Sequence, residues 1–426
     1  MRSSMRLRIP RCLIDGQRVT LPAADAEGLV PVSLVIEGAR IAAISADLEA
    51  GSPAPLAITP PVEPHAHLDK SFTYGAFENP GGTMEGALAA NLREFEQRTA
   101  AQVQERSEQA LQQAWHYGLR AIRSHIDSGG GGASEASWDV LIEQQRRWAD
   151  RIELQLVALV PISFWLRPEA EALARRVAAA GGQLGGVLGP PFGHAAQDAR
   201  ALRALLQWAA RLGCGIDLHV DEGETDAGLG VALVARTARE LRPGIPITCS
   251  HASSMGLLAA ARCGRLAEQM AAAGISVVAL PRTNLWLLGR RSGQTPWLRA
   301  QAPIRPLQQA GVEVAVGGDN VQDPWYPGGD YDPIELLRLC FTTSHLDPWQ
   351  RQGLAPFTTA PSRLLGLAWD GVLRPGCPAD LMVLEASSWQ QVLARPPQRR
   401  VLRAGVWIGP EAEQALPSSS AASSLR

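Results

Sequence analysis

Two histidines one residue apart, His65 and His67, mark where this chain can do chemistry; they stand in Pro64-His65-Ala66-His67-Leu68-Asp69-Lys70. Positions i and i+2 of a strand face the same way, so both imidazoles can reach one ion. Three more candidates follow short apolar runs: His219 in Asp217-Leu218-His219-Val220-Asp221-Glu222, His251 in Cys249-Ser250-His251, and Asp319 in Gly317-Gly318-Asp319-Asn320. Of the 8 histidines in the chain, four therefore fall at run ends. Neutral imidazoles with a carboxylate suit Zn2+ or Fe2+ better than Ca2+ or Mg2+. A metal with an open position lowers the pKa of bound water and supplies hydroxide at neutral pH. Glu222, three residues past His219, can reach that water without ligating the metal. It suits a general acid/base that carries the proton to a leaving nitrogen.

Lys70 is the one lysine of the chain; the other 39 basic residues are arginine. An ammonium is a compact point charge and a guanidinium a wide planar fork, so the two are not equivalent at a tight site. Lys70 can hold a substrate carbonyl or the anionic imide of a hydroxylated ring. It can equally pair with Asp69 or another local carboxylate, which at a surface is worth only about 0–1 kcal/mol. His125 and Asp127 end another apolar run and read as support for the ligands. Phe72, Phe164, Trp286, Trp325 and Tyr326 follow run ends, either to stack on a flat heterocycle or as ordinary packing. Gly129–Gly132 lacks the spacing of a phosphate cradle and reads as a mobile loop.

The elements that must position these residues form a rhythm. Eight apolar runs (Ile58–Val62, Leu119–Ile126, Ile152–Val160, Leu184–Leu188, Gly215–Val220, Ile245–Cys249, Ile275–Leu280, Val312–Val316) alternate with Ala/Leu/Arg-rich amphipathic stretches. These stretches include 87–98, 101–115, 169–180 and 199–212, with a last one at 360–367. Such alternation predicts an α/β fold of the (β/α)8, TIM-barrel type, whose active sites lie at the carboxyl ends of the strands. Before residue 58, and again at 379–384 and 400–408, the chain reads as strands and turns. The expected organisation is a small β-sandwich domain built from both chain ends (1–57 and 370–412), a catalytic barrel (58–369) and a disordered tail (413–426).

The net charge of −2 gives no reason to expect nucleic acid or an anionic membrane as partner. The six cysteines are scattered without a CxxC pair, which argues against a disulfide framework or zinc finger and for buried free thiols. With neither a signal-peptide pattern nor a long apolar span, a cytoplasmic protein is expected, as a possible homo-oligomer.

In combination the words His65-x-His67, His219-Val220-Asp221-Glu222, Ser250-His251 and 319–327 (DNVQDPWYP) resemble the amidohydrolase superfamily. With Ser124-His125-Ile126-Asp127 they look closest to its cytosine deaminase-like branch, which includes N-isopropylammelide isopropylaminohydrolase. The flanking segments 35–44 and 371–381 are similar too, so the resemblance spans about residues 30–410. It implies that His65, His67, His219 and Asp319 ligate one divalent metal. It further implies that Glu222 shuttles protons, that His251 polarises the group under attack and that Asp319 helps deprotonate the water. Some amidohydrolases bridge two metals through a carbamylated lysine on strand four. The run Leu184–Leu188 has no lysine, so a mononuclear site is expected.

The resemblance also carries differences. The stretch 160–165 (VPISFW), which includes Ile162, corresponds to where cytosine deaminases keep a ring-reading glutamine and has no amide, and Asn320 lies where they keep a second aspartate. Glu222 has no counterpart in the isopropylammelide hydrolase. Lys70, Ile162, Asn320 and Trp325 are therefore the expected substrate contacts, and cytosine is not the expected substrate. The expected reaction is hydrolytic deamination of an amino-substituted pyrimidine, triazine or related ring. Release of an alkylamine or opening of a cyclic amide is the alternative, and a non-catalytic binding protein on the same scaffold is the reading of another class.

Overall fold

The computed structural model describes residues 2–47, 54–192 and 195–409. The tail expected at 413–426 lies outside the described residues. The N-terminal segment forms an antiparallel sheet of β1 (Arg2–Pro10), β2 (Leu29–Glu37) and β3 (Arg40–Ala46). β2 and β3 make a hairpin around Glu37-Gly38, with a register shift at Val35/Ile36. The short β4 (Ala57–Ile58) then leaves this sheet.

Eight parallel strands follow: β5 (Glu63–Ala66), β6 (Ala121–Asp127), β7 (Glu153–Leu159), β8 (Leu184–Leu188), β9 (Ile216–Val220), β10 (Ile247–His251), β11 (Ile275–Ala279) and β12 (Val314–Val316). They form a three-stranded sheet, β5-β6-β7, and a five-stranded one, β8 to β12. Isolated parallel bridges join the two at both seams, Val157 to Gln183 and Pro161 to Val187 on one side and Ala66 to Asp319 on the other.

The helices between them match the amphipathic stretches. α1 (Met84–Gln97) starts where the Thr83 hydroxyl accepts from the Gly86 N–H, and α2 (Ala100–His116) starts with a Thr99/Gln102 capping box. α3 (Gly131–Trp148), α4 (Ala170–Ala179) and α5 (Ala195–Leu212) complete the first half. α3 begins at Gly131, so half of the glycine run expected to be a mobile loop is the first turn of a helix. The last stretch is helical over Thr359–Leu364.

The chain closes with β13 (Leu381–Leu384), β14 (Arg399–Arg403) and β15 (Val406–Ile408). The apolar run 400–408 is thus a hairpin, turning at Ala404-Gly405 where both residues have positive φ. β13 pairs with β14 and β4, so the C-terminal strands share an antiparallel sheet with Ala57–Ile58, separate from the β1–β3 sheet. One hydrophobic cluster runs from Leu7 and Ile9 of β1 through Ile126 and Leu218 to Leu381 and Leu402. All six cysteines are free, five of them buried. No described helix is long and apolar enough to cross a membrane.

One expectation is corrected. The apolar run Ile58–Val62 is not the first parallel strand. Ile58 faces Met382 in the antiparallel sheet, and the parallel strand is the next four residues, Glu-Pro-His-Ala. Pro60 and Pro61 lack the N–H that a central strand needs. β5 is buried not because it is apolar but because its polar groups serve the site.

Candidate metal and active site

The site is assembled where β5, β9, β10 and β12 end. The Glu63 carboxylate accepts from the His65 N–H (3.0 Å) and the Gly318 N–H (2.9 Å), tying the start of β5 to the turn after β12. A Cβ on Gly317 would stand 2.7 Å from that carboxylate, so the turn passes only without a side chain. Burial pushes the Glu63 carboxyl up to about 8. Asp319 donates its backbone N–H to the His65 carbonyl (3.0 Å) and adopts a φ of 64°. His251 has a φ of 69°. Left-handed backbone at non-glycine residues is costly and collects at functional sites.

These constraints bring the side chains together. His65 Nε2 is 3.2 Å from His219 Nε2 and 3.5 Å from Asp319 Oδ1, and His67 Nε2 is 3.2 Å from the same oxygen. All four residues are buried. Behind them Arg123 Nη1 donates to Asp217 Oδ2 (2.7 Å), and the Ser250 hydroxyl donates to Asp217 Oδ1 (2.7 Å). The Ser250 proton is then committed, so its oxygen accepts from His65 Nδ1–H at 2.9 Å. This leaves His65 Nε2 as a bare lone pair aimed at His219. Burial, and then the neighbouring imidazoles, hold His65 and His219 well below the usual histidine range, so both are neutral. Burial works to raise Asp319, but the His67 and His251 imidazoles outweigh it and keep it ionised.

Both Asp319 oxygens are buried without a hydrogen-bond partner. Orphaned buried acceptors are rare and each needs a reason. A cation bound to neutral imidazoles and a carboxylate supplies it, and the nitrogen–oxygen donor set fits a divalent metal.

Over this cluster lies a cavity of about 810 Å3, lined by His67, His219, Glu222, His251 and Asp319 at its reactive end. Glu222 Oε1 is 3.5 Å from His251 Nδ1. Burial, then the Asp319 charge, hold the Glu222 carboxyl well above its usual range. His251 is held at about 4 by burial. Its Nδ1 accepts from the Asn284 amide (3.0 Å), which leaves Nε2 as the N–H.

A model described as Amidohydrolase family matches residues 74–409. The chain belongs to the amidohydrolase family. Pterin deaminase of Rhizobium rhizogenes is 37% identical over 79% of this chain and 77% of its own length. Among solved structures, 5-methylcytosine deaminase of Klebsiella pneumoniae with 5-fluorocytosine has a TM-score of 0.81 at 25% identity, covering 96% of this chain and 97% of that one. N-isopropylammelide isopropylaminohydrolase of Burkholderia multivorans has a TM-score of 0.71 at 25% identity, covering 95% and 98%. These likenesses imply the TIM-barrel architecture with α/β content. This amidohydrolase is a hydrolytic enzyme acting on C–N bonds.

All the predicted site residues of the amidohydrolase converge here. Lys70, Ile162, Asn320 and Trp325 line the cavity with the reactive group. Of the other aromatics considered for stacking, none lines it: Trp286 sits edge-on to Tyr326, Phe72 to Tyr331, and Phe164 to Trp165. Lys70 is not paired with Asp69. Its Nζ donates to Asp127 Oδ1 at 2.9 Å, while Asp69 accepts from Arg98 (2.7 Å). Nor is it a surface lysine, being only 3% exposed. Asn320 donates to Asp323 Oδ2 (2.7 Å), which orients its amide.

His125 stacks on His65 with ring centroids 3.9 Å apart; neither of its nitrogens is hydrogen-bonded, and its Nε2 lies 3.8 Å from Asp217 Oδ2. Sequence reasoning missed Asp217, Arg123 and Asn284. Asp217 had a signal, since it stands two residues before His219 on one strand and so faces the same way.

Proposed function

We propose that this amidohydrolase releases ammonia from a small, flat, amino-substituted nitrogen heterocycle. The observation that carries this reading is the meeting of two features at one end of the cavity. One is a buried Asp319 carboxylate without hydrogen-bond partners among neutral imidazoles, and the other is a carboxyl, Glu222, whose hold on its proton burial strengthens. Two similar proteins named for deaminase activity, on pterin and on 5-methylcytosine, support it. The reading takes the eight parallel strands and their helices as a closed (β/α)8 barrel beside a small β-sandwich domain built from the strands that flank them.

His65, His67, His219 and Asp319 would hold one Zn2+ or Fe2+. Such an ion acidifies water and thereby furnishes a nucleophile at neutral pH. Asp319 takes a proton from the attacking water, and Glu222 delivers one to the departing nitrogen. The His251 Nε2–H polarises the ring group under attack. Lys70 spends one of its three N–H donors on Asp127 and directs the others to a ring carbonyl or imide. Asn320 reads the ring edge, and Ile162 and Trp325 contact its faces.

Amino-substituted pyrimidines, triazines and pterins, offered to the purified enzyme and assayed for ammonia, test the reading. Glu222→Gln should lower kcat by about 10²–10⁴-fold and leave the metal content unchanged. Activity that survives in this variant contradicts the assignment.

A further inference from the structure

The cavity is larger than its reactive end requires, and its outer part has a different chemistry. Along α1, Met84, Leu88, Asn91, Leu92 and Phe95 line the wall at helical spacing. The other face of the helix, with Ala87, Ala90 and Glu94, is buried in the protein. Asn91 ends the polar part: its amide donates to Asp127 Oδ2 (3.4 Å) and accepts from Trp325 Nε1 (3.4 Å). Apart from Glu85, the rest of this α1 wall is apolar. Val187, Pro190 and Pro191 line the same cavity.

Leu88, Leu92 and Val187 are 50%, 53% and 43% exposed, and they are three of the seven large apolar side chains left exposed among the described residues. Scattered exposed apolar residues need no explanation, whereas a converging group marks a binding surface. This group shares one continuous cavity with Glu222 and Asp319. Apart from Lys70, whose ammonium is paired with Asp127, the lining holds no lysine or arginine. The charged groups it adds on α1 and α5 are Glu85 and Asp198, both acidic.

We propose that this outer wall is a subsite for an apolar substituent on the heterocycle, an alkyl or aryl arm without negative charge. The inference rests on the reading that the ring is bound at Glu222 and Asp319. With the ring there, an arm leaving it toward α1 would cover Leu88 and Leu92, removing apolar surface from water. A carboxylated arm would meet Glu85 and Asp198 instead.

The test compares three pterins, bare, benzyl-substituted and carboxybenzyl-substituted on the ring carbon remote from the amino group. For the wild-type enzyme KM should be about tenfold lower for the benzyl ring than for the bare one, and the carboxylated arm should forfeit that gain. In Leu88→Ser/Leu92→Ser the ratio of bare to benzyl KM should fall to about one. The ratio is read within one protein, so a general loss of folded enzyme cancels. Equal KM values for the bare and benzyl rings in the wild type, or a ratio that persists in the double variant, overturn the subsite. If no ring is deaminated, the deaminase reading fails instead. Calorimetric titration of the benzyl ring into both proteins then decides the subsite, with equal affinities overturning it and weaker binding by the variant supporting it.

Discussion

Two buried polar clusters share the cavity wall, and they are built in opposite ways. In the first, His65, His67, His219 and Asp319 present lone pairs to one another, and several of their atoms have no partner. In the second, Lys70, Arg98 and Arg106 interleave with Asp69, Glu94 and Asp127. Three cations meet three carboxylates, and each makes at least one ion pair. Burial alone therefore does not mark a functional site. What separates the clusters is charge pairing: in the second every charge meets an opposite one, with Asp69 Oδ1 the one oxygen left without a hydrogen bond, whereas both Asp319 oxygens of the first lack a hydrogen-bond partner and call for a cation.

Opening the charge-paired cluster should have the larger effect on stability. Arg98→Met removes the cation shared by Asp69, Glu94 and Asp127, and should destabilise the protein by about 3–5 kcal/mol in chemical denaturation. In metal-free protein, His219→Ala should cost less than that. A reversed order would break the contrast. The next effect is on the metal cluster. Ser250→Ala withdraws the acceptor that orients His65 Nδ1–H, and should weaken metal affinity by about 10–100-fold in competition with a chelator. An unchanged affinity would show that the Arg123–Asp217–Ser250 relay does not set the ligand.

Acid and base offer a gentler probe of the charged cluster. Burial works to raise Asp127, but Lys70 and Arg98 outweigh it and hold the carboxyl below its ordinary 3.8. Its contribution is therefore present above that value and lost as the pH falls below it. Burial works to lower Lys70, but Asp127 and Asp69 outweigh it and raise the ammonium above its ordinary 10.5. Its contribution is full below that value and lost as the pH rises beyond it. Denaturation midpoints measured down to the acid limit should fall more steeply for the wild type than for Asp127→Asn. Parallel curves would remove Asp127 from the account.

How much of this was legible beforehand follows the same division. His65, His67, His219, His251 and Asp319 could be found because histidine is scarce here and strand ends collect catalytic groups. The first parallel strand was misplaced because hydrophobic patterning cannot find a strand made of Glu, Pro and His. Asp217 and Ser250 lie on the paired strands β9 and β10, but Arg123 reaches them from β6, which pairs with neither, so their relay arises only in the assembled fold. Lys70 drew notice as the one lysine, yet nothing local showed that its partner would be Asp127, 57 residues away.

The central claim is that the unpartnered cluster holds one divalent ion. Metal content per chain, measured by plasma mass spectrometry after reconstitution with Zn2+ or Fe2+, tests it most directly. About one ion per chain is expected for the wild type, with little left in His219→Ala. Content well below one, two ions per chain, or an equal content in the variant would contradict it.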